Sequence, residues 1–111
     1  MKFRVTLEGV LTSTSGSIDD AARKALTVAM SELNVLGAGN AAIDLDARTG
    51  EITVSCAVEA EGPISALQPA SDNIRLSLHH AEIGTPEWPE VDDPHWNVEF
   101  IRSRTEALAA A

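Results

Sequence analysis

Phe3, Val5 and Leu7 alternate with Lys2, Arg4, Thr6 and Glu8, the period of two that a strand shows when one face is buried. The polar stretch Thr12 to Gly16 ends this pattern. Ser17 then offers an N-cap, with Asp19 and Asp20 in a first turn where the helix dipole favours acid. Ile18, Ala22, Ala25, Leu26, Ala29, Leu33 and Leu36 recur at helical spacing and predict one inward face, with the helix stopping at Gly37.

Ile43 and Leu45 point opposite to Asp44 and Asp46, and Ala47-Arg48-Thr49-Gly50 supplies a short loop with a glycine able to take positive φ. Ile52, Val54, Cys56 and Val58 then alternate with Glu51, Thr53, Ser55 and Glu59, which completes a hairpin. After Gly62-Pro63 a second helix is expected, with Leu67, Ile74, Leu78 and Ala81 inward. Pro69 interrupts it, so the main helix is expected to start there after a looser turn from Ile64 to Gln68. Gly84 to His95 is a connection rich in proline and acid, and Trp96 to Ser103 reads as the last strand, with Val98 and Phe100 on one face and Glu99 and Ile101 on the other.

The resulting order, β-α-β-β-α-β, predicts an α+β domain of the ferredoxin-like plait type: a four-stranded antiparallel sheet with two helices on one face. One domain over 1–104 is expected, followed by a short Ala-rich tail over 105–111 whose helical tendency needs packing to persist. The plait hosts many unrelated functions, so the order narrows architecture far more than activity. No named family is matched by these residues.

Composition changes this picture in three ways. Apolar residues make up 44% of the chain, but there are only two Phe, two Trp and no Tyr, so the core is expected to be aliphatic and small. The net charge of −9 disfavours nucleic acid and anionic membranes, which are held through clustered Lys and Arg. The basic grouping Lys2, Arg4, Arg102 and Arg104 is expected to share a sheet edge or face, since the first and last strands of a plait are neighbours. With Cys56 alone no internal disulfide can form, and its place in the alternation points inward, toward packing rather than reactivity. No secretion signal or membrane-spanning run is read, and a cytoplasmic location is expected.

Chemical signatures are sparse. Gly37-Ala38-Gly39-Asn40-Ala41-Ala42 carries the letters of the dinucleotide fingerprint, but that motif needs a strand before it and a helix after it, and here the order is reversed. His79 and His80 are adjacent on a helix and diverge by about 100°. His79 joins Arg75 and Glu82 in a polar, solvent-facing stripe, and His80 lies nearer the core boundary with Leu76 and Ile83. A metal would need one of them together with Asp92, Asp93 or His95, and no metal or other cofactor is assigned. Neighbouring carboxylates such as Asp92 and Asp93 diverge and make no acid/base pair, so no catalytic residue is named.

By exclusion, the segment 84–96 is the expected working surface. Trp88 and Trp96, set among Pro86, Pro89 and Pro94, offer a rigid apolar anchor for a ligand or partner chain, or else cap the open end of the core. The sheet face away from the helices is expected to be polar and acid-rich, with Lys2, Arg4, Thr6, Glu8 and Ser55 among its residues and Ile101 its main apolar exception. It lacks the stacking aromatics of an RNA-binding sheet. The function expected is therefore a non-enzymatic homo-oligomer, a homodimer before other forms, that binds or assembles through 84–96 or an edge strand. The alternatives are a small-molecule or divalent-metal module lined by Trp88, His80, Asp93 and His95, or a small plait-type enzyme with a pocket between helix two and this segment.

Overall fold

A computed structural model describes residues 1–13, 18, 20–36, 41–85 and 95–108. β1 (Lys2–Ser13) leads to α1 (Asp20–Leu36), β2 (Ala42–Leu45), β3 (Glu51–Glu59), α2 (Pro63–His80), β4 (Ile83–Gly84) and β5 (Trp96–Ala107). The chain is α+β, with two helices and one mixed sheet in the order β2-β3-β1-β5-β4. Neighbours β2–β3, β3–β1 and β1–β5 are antiparallel, whereas β4 runs parallel to β5 through Ile83–Trp96 and Gly84–Asn97.

The expected four-stranded antiparallel sheet is thus corrected to five strands of mixed direction. The cause is the turn after α2. Glu82 takes φ 64, and its N–H donates to the His79 carbonyl at 2.9 Å. The chain reverses at once, and Ile83 and Gly84, both buried, lie beside the start of β5.

Alternation places Phe3, Val5 and Leu7 of β1 and Ile52, Val54, Cys56 and Val58 of β3 in one aliphatic core. From α1, Ala22, Leu26, Ala29 and Leu33 are buried against it. Leu36, expected inward, is exposed at the helix end. The hairpin loop forms as expected: Gly50 has φ 80, and its N–H donates to the Asp46 carbonyl at 2.7 Å.

α2 differs from its sequence reading twice. It runs unbroken from Pro63 to His80 with Pro63 in its first turn, so Pro69 lies inside the helix. Proline forfeits one backbone donor there, and Pro69 itself is exposed, so its ring meets solvent and not the sheet. The buried face is also made of smaller residues than expected: Ala66, Ala70, Ser71 and Ser77 join Ile74 and Leu78, and Leu67 faces outward. The buried Ser77 hydroxyl donates to the Ile74 carbonyl at 2.7 Å.

β1 and β5 each span 12 residues and outrun their predicted lengths at one end. The helical tendency expected of the Ala-rich tail is replaced by strand over Thr105 to Ala107, because Phe3, Arg4 and Val5 offer backbone partners there. The Leu108 N–H extends this pairing to the Lys2 carbonyl at 2.9 Å. The β1–β5 register shifts between Glu8 and Gly9: Glu8 pairs with Arg102 and Gly9 with Phe100, which makes Ile101 the extra residue of a bulge. Among the described residues, no helix is long and apolar enough to cross a membrane.

Candidate functional site

Trp88 and Asp93, like Asp92, lie outside the described residues. Trp96 opens β5, half-buried against the core, with Ser13 on one side and Ile83 on the other. His95 is exposed and meets Trp96 edge-on, ring centres 6.0 Å apart at 62°. His80 is exposed at the C-terminal end of α2.

The two helix histidines exchange their expected roles. His79 is half-buried, and its Nε2 lies 2.8 Å from the Thr85 hydroxyl, which is itself buried beside β4. The solvent-facing reading of His79 and the core-flank reading of His80 are both overturned, because the reversal at Glu82 folds Thr85 back onto the face that carries His79. Among the described residues, no group of three or more His, Cys, Asp or Glu side chains could hold a metal ion. Cys56 is fully buried, and burial pushes its thiol up to about 11, partly offset by the positive charge of Arg4. That thiol is a packing group.

The sheet face away from the helices gathers the four basic residues as β1 and β5 become neighbours. Arg102 faces Glu8, with Nε 3.1 Å from Oε2, and Arg104 faces Thr6 while bridging to Glu106 at 3.5 Å. Arg4 donates to the Ser55 hydroxyl at 3.4 Å. The floor of this face is less solvated than its polarity predicts: Thr6, Ser55 and Ala57 are buried in the central strands β1 and β3. A cavity of about 320 Å³ opens here, bordered by Glu8, Val10, Glu51, Thr53, Ile101 and Arg102.

On the helix side a second cavity, about 310 Å³, lies between α2 and β5, lined by Leu7, Leu67, Ser71, Arg75 and Phe100 among others, and again by Ile101. Ile101 borders both cavities and is 72% exposed, so it projects off the edge of the sheet. That edge is open. β4 covers β5 only at Trp96 and Asn97, and among the described residues no strand pairs with its outer side from Val98 to Ala107.

Sequence reasoning missed this edge and its bulge. A signal was present in Gly9, since an isolated glycine in a strand pattern marks a bulge or a close backbone approach. Compared with known proteins, the chain gives no significant match to a family model, to a curated protein or to a solved structure.

Proposed function

We propose that the chain is a non-enzymatic, homo-oligomeric binding or assembly protein built as a ferredoxin-like plait, with segment 84–96 and the strand it enters as contact surface. Support for the plait comes from four of the strands, which stand in the order β2-β3-β1-β5 with antiparallel neighbours and leave the two-residue β4 as an added edge piece. One observation carries the assembly reading: two exposed apolar side chains, Ile101 and Leu67, 72% and 37% exposed, border a groove of mixed polar and apolar lining beside strand backbone that no described strand pairs. Covering Ile101 alone is worth on the order of 2 kcal/mol, and the open edge offers hydrogen bonds at the same place.

Sedimentation velocity over a wide concentration range tests this reading. The wild-type chain is expected to associate, and Ile101→Glu or Trp88→Ala to raise the dissociation constant about tenfold or more without altering the circular dichroism spectrum. A wild-type chain that stays at the mass of one copy throughout overturns it. A second reading, small-molecule binding, is favoured by the cavity over Glu8, Thr53 and Arg102, where polar groups of both charge types converge. A bound organic mass in a native mass spectrum would support that reading instead.

A further inference from the structure

We propose that the outer edge of β5 is the dimer seat, and that its occupant is β5 of a second copy, running antiparallel about a twofold axis through Arg104. The proposal rests on the assembly reading and names the partner surface within it. Glu99, Arg102, Arg104 and Glu106 lie along the outward face of β5, an order of acid, base, base, acid. An antiparallel copy centred on Arg104 sets Arg102 of each chain against Glu106 of the other. It also sets Ser103 against Thr105 of the second copy on the helix side. Such opposed ion and hydroxyl pairs are the pairings that stabilise adjacent strands.

The two Arg104 side chains meet at the axis, a like-charge opposition that an acid beside each must offset. Each Arg104 keeps its own Glu106 at 3.5 Å and each Arg102 its Glu8 at 3.1 Å, so every copy brings two arginines and two glutamates. The bulge directs Ile101 off the edge, where the neighbouring strand covers it and closes the groove over Leu67 and Phe100. Bulges and charges on an edge strand block indiscriminate pairing. Here they permit the register centred on Arg104, in which Arg102 of each copy meets Glu106 of the other. β2 is a weaker seat, with four residues and Asp44 exposed on it.

Residues directly opposed in an antiparallel pair have Cα atoms about 4.5–5.5 Å apart, within disulfide range. Arg104→Cys is therefore expected to give a disulfide-linked dimer under mild oxidation, and Glu99→Cys and the α1 control Lys24→Cys are expected to remain uncrosslinked. Cys56 is buried and does not compete. Independently, Arg102→Gln and Glu106→Gln are each expected to raise the dimer dissociation constant about tenfold, since each removes two symmetric pairs.

A wild-type chain that dimerises while Arg104→Cys fails to crosslink, or while Glu99→Cys crosslinks in its place, overturns this seat and leaves the assembly reading standing. A chain that is monomeric at every concentration overturns both.

Discussion

Gly9 stands opposite Phe100 where β5 carries its extra residue, and the carbonyl of Glu99 occupies the space a side chain at Gly9 would need. A Cβ there would also lie 2.8 Å from the Phe100 Cα. Both obstacles are backbone, so neither can swing aside as a side-chain tip could. Gly9→Ala is expected to destabilise the fold by about 2 kcal/mol, within the usual cost of overpacking, and urea unfolding would measure it. An unchanged midpoint would mean that the β1–β5 bulge relaxes freely.

Thr85 and His79 predict a second effect. Their 2.8 Å contact ties the start of the 84–96 connection to α2, and the hydroxyl is buried. Thr85→Val keeps the shape and removes the hydroxyl, and is expected to cost about 1–2 kcal/mol. Thr85→Ser keeps the hydroxyl and is expected to cost less. A loss in Thr85→Ser with none in Thr85→Val would assign the effect to the methyl group.

The reversal at Glu82 predicts a gain. A residue with φ 64 and a Cβ is strained where glycine is not. Glu82→Gly is expected to raise stability by about 0.5–1 kcal/mol in thermal or urea unfolding. A loss would show that the Glu82 side chain contributes more than its backbone strain costs.

Cys56 predicts a dependence on pH. Its folded thiol, pushed up to about 11 from an ordinary value of 9.0, stays protonated where an unfolded thiol ionises. Between those values the unfolded chain binds fewer protons than the folded one, so stability is full below pH 9 and falls as pH rises toward 11. At about 1.4 kcal/mol per unit, the loss is on the order of 2–3 kcal/mol. Urea unfolding of wild type and Cys56→Ala at both ends of this window would show it as a slope present in the first and missing in the second.

Arg102 and Glu8 form an ion pair 3.1 Å apart in which Arg102 is mostly exposed. Arg102→Met is expected to change the stability of the single chain by less than about 1 kcal/mol, since solvent screens such pairs. Unfolding at low protein concentration checks this. A larger loss would mean that Arg102 supports the monomer itself, which would complicate its use as a probe of the β5 edge.

Much of this architecture was legible in the chain. Phe3-Arg4-Val5-Thr6-Leu7 and Ile52-Thr53-Val54-Ser55-Cys56 have the two-residue period that only a half-buried strand satisfies, and Ala22, Leu26, Ala29 and Leu33 the spacing of one helical face. Those are local rules, and a side chain's own neighbours enforce them. The neighbouring of β1 and β5, and with it the shared face of Lys2, Arg4, Arg102 and Arg104, followed from element order alone.

Tertiary structure decided what depends on partners far along the chain. Thr105 to Ala107 became strand because β1 supplied hydrogen-bond partners that local propensity ignores. Leu67 turned outward because Ala66, Ala70, Ile74 and Leu78 occupy the buried face of α2. His79 and His80 exchanged environments because one reversal at Glu82 set Thr85 against the helix. The bulge at Ile101 and the open edge beside it arise only when two strands are laid together, since register belongs to the pair of strands and to neither sequence by itself.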